Sequence, residues 1–237
     1  MSVSRRVLIV GSAYGIGLTL GGGFIPASAY AAEGTKTDLT PEEALELLKK
    51  GNSEFKVDTP YNAAIGRERR NAIAQKQAPF AAVVTCSDSR VPPELLFGRG
   101  LGELFVIRNA GNTVDATALG SIEYAVGVLG VPLIVILGHE RCGAVEAAVN
   151  VVTKNSYYPG SIGRMIEPIV PAVLSAQAKK PADLLRESVQ ANVARTVMRL
   201  RTASEPMLLE PLSKRKLRIV GATYDLDEGT VDFFDEG

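Results

Sequence analysis

Two cysteines and one histidine are the only soft metal-ligand residues in this 237-residue chain, and they fall into one pattern. Cys86 opens a Cys-x-Asp-x-Arg run that continues through Asp88 to Arg90. His139 and Cys142 follow some fifty residues later, separated by Glu140 and Arg141. Taken singly, Cys86 reads as a small buried hydrophobe at a strand end. His139 alone reads as a hydrogen-bonded core histidine, and Cys142 as a packed helix start. Together they offer two thiolates and an imidazole, which suit Zn²⁺ at one ion per chain and leave the fourth tetrahedral position free for water or substrate. Asp88 lies within reach of the metal or of whatever the metal holds, and Arg90 can pair with Asp88. If the segment is extended, Cys86, Asp88 and Arg90 share a face. A bound zinc lowers the pKa of its water toward neutrality. An ionised Asp88 would then orient a zinc hydroxide, with Arg90 fixing Asp88 by a bidentate contact. Zn²⁺ is redox-inert, so the pattern implies hydration or hydrolysis rather than electron transfer.

These residues need strand ends to hold them. Apolar runs bounded by turn residues predict buried parallel strands at 80–85, 103–107, 133–137 and 217–222, with an edge strand at 230–234. Thr40 caps a helix that starts at Pro41, with Glu43 in the capping-box position. Further helices are predicted over 61–75, 114–129, 142–149, 160–176, 181–203 and 205–215. Strands alternating with helices imply an α/β fold: a mostly parallel central sheet flanked by helices, with an antiparallel edge strand. Both ligand motifs then fall just past carboxyl ends of strands, where such sheets place their sites. The basic residues Arg67, Arg69 and Arg70 on the 61–75 helix read as a solvated face or a contact with a second copy.

The chain resembles the β-class carbonic anhydrases. Cys-x-Asp-x-Arg after one apolar strand and Gly-His-x-x-Cys-Gly after another carry the likeness. It extends to Gly51, Asn52 and Phe55 in the opening helix, to residues 102–112 and 121–125, and to Tyr224, Asp225, Leu226 and Gly229, and so covers roughly 40–234. The resemblance implies that fold and a reversible hydration of CO₂ to bicarbonate and a proton. It also implies a substrate pocket that includes Gln77, Phe105, Tyr124 and Gly143. Phe105 and Tyr124 could equally be core packing. The likeness further implies a homodimer or larger assembly, with Gln77 and Tyr124 facing the partner's zinc. Some members rest with the carboxylate equivalent to Asp88 as fourth ligand in a closed state; others keep water there. One subgroup adds a tryptophan to a non-catalytic bicarbonate site. Here that position is Val83, the chain has no tryptophan, and only Arg108 and Tyr224 match the rest of that site. The open state with Asp88 on Arg90 is therefore expected. The sole histidine is a proposed ligand, so proton export must use water, buffer or another side chain.

Residues 1–31 read as an export leader and 32–237 as the catalytic domain. Arg5 and Arg6 precede an uncharged, glycine-rich apolar run, and Ala27, Ser28, Ala29 and Ala31 supply small-residue cleavage sites. The arginine pair points to the twin-arginine route and a periplasmic or other extracytoplasmic location. An uncleaved anchor is the alternative, but so many glycines make a weak span. Residues 10–17 imitate a dinucleotide-binding turn without the flanking strand–helix unit such a turn needs. Removing the leader takes Lys+Arg from 26 to 24 against an unchanged 26 Asp+Glu, a net charge of −2. Nothing in that balance favours nucleic acid or an anionic membrane. Two cysteines in an exported chain usually imply a disulfide. Here each lies inside a ligand motif. Two other readings remain beside CO₂ hydration: a CS₂ or COS hydrolase on the same scaffold, and a catalytically silent zinc-binding protein.

Overall fold

A computed structural model describes residues 36–236, and the first helix among them is capped by Thr40. The proposed leader and the glycine-rich turn at 10–17 lie outside the described residues. The Thr40 hydroxyl accepts from the Glu43 amide while the Glu43 carboxylate accepts from the Thr40 amide, the reciprocal cap that the sequence predicts. Helix α1 (Pro41–Lys56) follows and turns Ala44, Leu45 and Leu48 into the core. The helix expected over 61–75 is much shorter, α2 (Arg67–Ile73). Residues 61–66 spend their hydrogen-bonding groups elsewhere: the Tyr61 hydroxyl donates to the Arg99 carbonyl, and the Leu101 amide donates to Ala64. Helix α2 therefore starts only after Gly66.

Strand β1 (Ala81–Cys86) is buried at every position. A short helix, α3 (Pro93–Leu96), precedes β2 (Leu104–Asn109). Helix α4 (Ala116–Glu123) is capped by Asp115 and runs into a wider turn at Tyr124–Val128. Strand β3 (Leu133–His139) leads to α5 (Gly143–Lys154), which ends where Asn155 turns left-handed. The single helix expected over 160–176 is instead α6 (Gly160–Ile166), a tight turn at Glu167–Ile169, and α7 (Val170–Ala178). Pro168 and Pro171 explain the break, since each removes an amide donor and crowds the preceding turn. Helix α8 (Leu184–Arg201), capped by Asp183, then crosses the sheet, and α9 (Pro206–Ser213) leads to β4 (Arg218–Tyr224) and β5 (Val231–Asp235).

The sheet order is β2-β1-β3-β4-β5. The first four strands are parallel and β5 is antiparallel to β4. The predicted α/β class with its antiparallel edge strand holds. Side chains alternate between two covered faces. Ala82, Val84, Ile134, Ile136 and Ile219 pack with α4, α8 and α9. Ala81, Val83, Leu133, Val135, Leu137 and Val220 pack with α1 and α3. Burial on both faces is why these strands read as continuous apolar runs. After β1 the chain moves to one side to form β2, then returns past β1 to form β3 on the other. That reversal opens a crevice at the carboxyl ends of β1 and β3.

Candidate metal centre

Three elements deliver the three ligands to that crevice. Cys86 is the last residue of β1 and His139 the last of β3. The strands are in register up to Thr85 and Leu137, so their ends stay together. Past His139 the chain must fold back within three residues. Glu140 donates its amide to the Tyr224 carbonyl, and Arg141 adopts a left-handed φ of 49°. The Arg141 guanidinium grips both oxygens of Asp227 at 2.8 Å and holds that turn against the β4–β5 hairpin. Cys142 then falls at the N-cap of α5, where exposed amides and the helix dipole favour a thiolate.

All three are buried, His139 fully so. Their ligand atoms lie within 4.8 Å of one another, and the two sulfurs are 3.9 Å apart. The His139 Nδ1 lies 2.8 Å from the Glu140 carbonyl, a contact that places the ring proton on that nitrogen. Its Nε2 is then a bare lone pair, buried and without a hydrogen-bond partner among the described residues. A buried unpaired acceptor facing two thiols is costly for the protein alone. It is the arrangement a soft cation would satisfy. The thiols show the same strain. The hydrogen bond from Cys142 pulls the Cys86 thiol down, helped by the Gly111 amide, against burial. The same bond, with burial, pushes Cys142 far up. A divalent metal bound here would displace the thiol protons. A second group of ligand-type residues, Glu140, Asp225 and Asp227, is more open, and Arg141 already pairs with Glu140 and Asp227.

The mouth of the crevice carries Asp88 and Arg90. Asp88 Oδ1 accepts from the amide and Nε of Arg90, both at 2.9 Å, and Oδ2 accepts from Nη2 at 2.8 Å. Asp88 Oδ2 also stands 3.9 Å from His139 Nε2. Arg90, chiefly through its side-chain hydrogen bonds, holds the Asp88 carboxyl well below the usual carboxylate range.

Two supporting contacts were not apparent from the sequence. Arg108 donates from Nε to the Cys86 carbonyl at 2.9 Å and from Nη2 to the Asp88 carbonyl at 2.6 Å, so it braces the turn between ligand and dyad. The Gly111 amide donates to Cys86 Sγ at 3.3 Å. Gly111 has φ +81°, and a Cβ there would fall 2.6 Å from Ile169 Cδ1, so only glycine fits.

The expected substrate-pocket residues divide. Gly143 lies beside Cys142, and a Cβ on it would meet open space. Phe105 and Tyr124 pack together with ring centroids 6.1 Å apart. Phe105 precedes by four residues the partner of Cys86 on β2, a separation of roughly 13 Å at the usual rise per residue. Gln77 is exposed before the amino end of β1. Within one chain, then, Gln77, Phe105 and Tyr124 are not brought to the three ligands. Tyr124 is 46% exposed.

Comparison with known proteins agrees with this geometry. The family described as carbonic anhydrase matches residues 81–231. A carbonic anhydrase of Mycolicibacterium smegmatis is 40% identical over 192 residues, 81% of this chain and 92% of that one. Carbonic anhydrase 2 of Mycobacterium tuberculosis is 40% identical over 189 residues, 80% of this chain and 90% of that protein. Among solved structures, one of the tetrameric β-carbonic anhydrases of Sordaria macrospora superposes with a TM-score of 0.64 at 27% identity, covering 69% of this chain and 84% of that one. A Coccomyxa β-carbonic anhydrase in complex with acetazolamide gives a TM-score of 0.62 at 27% identity, covering 84% and 87%.

Proposed function

The chain belongs to the β-class carbonic anhydrases, enzymes that interconvert CO₂ and bicarbonate, and from that premise we propose how its own residues perform the reaction. Cys86, His139 and Cys142 would hold one zinc ion, chosen by the softness of two thiolates and an imidazole. When bound, zinc supplies Lewis acidity, which makes water a usable nucleophile near neutral pH. Asp88 keeps its charge at neutral pH and offers acceptor lone pairs at the crevice mouth. It would accept a hydrogen bond from the attacking oxygen and so turn a lone pair of that oxygen toward the carbon of CO₂. Arg90 keeps Asp88 ionised and oriented, and keeps it from serving as a fourth ligand. This is the open state.

A carboxylate held that low accepts a hydrogen bond without retaining the proton. His139 cannot carry the proton either, because it is buried and its Nδ1 is engaged by Glu140. The proton therefore leaves through water, buffer or a side chain other than these two. The observation that carries the reading is the unpartnered His139 Nε2 set between two buried thiols, with the Asp88–Arg90 pair at the mouth.

The reading includes a second copy of the chain. Strand β2 has an open edge among the described residues, and Leu101, Tyr124 and Ile65 are exposed large apolar residues on segments near it. A two-fold pairing along β2 sets the amino end of one sheet beside the carboxyl end of the other. It would bring Gln77, Phe105 and Tyr124 of each copy toward the other copy's crevice. Residues 1–31 would direct export, so that the enzyme works outside the cytoplasm and no membrane span remains after cleavage.

Metal analysis with stopped-flow CO₂ hydration tests the proposal. One zinc per chain and rapid hydration are expected. Turnover of CS₂ or COS in place of CO₂ would transfer the site to the hydrolase reading. Bound zinc with neither activity would make it a silent binding protein.

A further inference from the structure

Cys86 is held by more than its place at the end of β1. The Gly111 amide reaches its sulfur at 3.3 Å, and that amide belongs to a residue with no side chain to fix it. Glycine at φ +81° has wide backbone freedom, so the N–H needs an external tether to stay on the sulfur. The Gly111 carbonyl, on the other side of the same Cα, accepts from Asn192 Nδ2 at 2.9 Å. Asn192 is 3% exposed and lies on α8, eighty-one residues away in sequence. Helix α8 is itself wedged against β3 and β4: a Cβ on Gly138 would strike Val193 and Val189, and one on Gly221 would strike Val193 and Val197. The asparagine therefore hangs from a rigid support.

We infer that Asn192 is a positioning residue for the metal ligand Cys86, acting through Gly111: it fixes the carbonyl on one side of the Gly111 Cα and so the direction of the N–H on the other side, which donates to the Cys86 sulfur. An amide aimed at a thiolate spreads its negative charge and fixes the direction of its lone pairs. Outer contacts of this kind orient ligands and tune the metal they hold. A purely structural role, satisfying one buried carbonyl, would affect folding stability and leave metal retention alone. The two roles are therefore separable. The inference rests on the proposed zinc site.

The decisive substitution is Asn192→Leu, which keeps the branched shape and removes the donor. Thr196→Val is the matched control. Thr196 sits one turn further along the same helix face, is 8% exposed, and donates only to the Asn192 backbone carbonyl at 3.0 Å. Zinc affinity would be measured by competition with a chromophoric chelator, and the cobalt-substituted proteins compared by their sulfur-to-metal charge-transfer band. Asn192→Leu is expected to weaken zinc binding about 10- to 100-fold and to move the band. Thr196→Val is expected to change neither. Wild-type affinity and an unmoved band in Asn192→Leu would overturn the inference. Equal losses in the two variants would overturn it too, because they would report only a weakened helix. Should Asn192→Leu not fold, hydrogen exchange in the zinc protein decides. Protection of the Gly111 amide that falls in a milder Asn192→Ser variant supports the inference, and protection unchanged between wild type and that variant overturns it. A wild-type chain that takes up no zinc would sink the functional reading and this inference together; a zinc-loaded wild type matched by Asn192→Leu would sink this one alone.

Discussion

At the scale of single residues, the site separates groups that hold from groups that orient. Cys142→Ser is expected to lose most of the zinc and the activity, since a hydroxyl is a poor substitute for thiolate. Metal analysis after dialysis checks it. Asp88→Asn should keep its zinc yet hydrate CO₂ about 10²- to 10³-fold more slowly, the scale of losing one oriented polar partner in a transition state. The pH profile adds a sharper test. The Asp88 pKa is depressed, first by the Arg90 side-chain hydrogen bonds, so its ionised form stabilises the fold above the ordinary carboxylate value of 3.8. That contribution disappears only as pH falls through the lower folded value. Asp88 therefore does not titrate across roughly pH 5–8, and Asp88→Asn should scale the rate profile down and keep a single midpoint, displaced toward lower pH by the loss of a neighbouring negative charge. A midpoint that vanished in the variant would show that this carboxylate titrates in the working range. Residues of this kind were legible in the chain because chemistry concentrates in few types. Cys86, His139 and Cys142 had no other cysteine or histidine to compete with them. Gly111 and Asn192 were not legible as a pair, because their link is a backbone hydrogen bond between distant segments and leaves no local pattern.

At the scale of elements, side chains that bond to backbone decide how helices and strands meet. Asn52, 5% exposed on α1, donates to the Leu96 and Gly229 carbonyls at 3.3 and 3.0 Å and accepts from the Val231 amide at 2.8 Å. Its neighbour Gly51 lets α1 lie flush, since a Cβ there would overlap the Phe97 carbonyl oxygen at 1.9 Å. Together they lock α1, α3 and the β4–β5 hairpin. Asn52→Leu strands three buried backbone groups at about 1–3 kcal/mol each. It should destabilise the protein by roughly 3 kcal/mol or more in urea denaturation, with zinc stoichiometry unchanged. Less than about 1 kcal/mol would mean that water replaces the asparagine. The strands were read closely from sequence because burial on both faces writes itself as uninterrupted Val, Ile, Leu and Ala. The helices were read less well where an outside partner claimed the backbone. Residues 61–66 bond to the 99–101 loop, and Pro168 and Pro171 divide what periodicity alone joins.

At the scale of the whole molecule, one chain presents the ligands at one end of its sheet and the aromatic pair Phe105–Tyr124 toward the other. A charge on the proposed contact surface, Leu101→Glu at a residue 41% exposed, should yield a monomer that keeps zinc and loses most of its hydration activity. Sedimentation velocity beside the activity assay checks it, and a fully active monomer would refute the shared pocket. No sequence pattern could show which residues meet across copies, because packing against a second chain leaves the same apolar signature as packing within one. The crevice between β1 and β3 has a further consequence. Its ligands come from two strands and a helix start, separated by more than fifty residues of chain. A zinc ion held there would act as a clasp: the native chain would bind it far better than the unfolded chain, so every increment of free zinc would deepen the native basin. A hundredfold excess over the dissociation constant is worth about 2.7 kcal/mol. Chelation should therefore lower the melting temperature, and the midpoint should climb with the logarithm of free zinc. The enzyme's lifetime in its compartment would then be set by the zinc supply as much as by its own core.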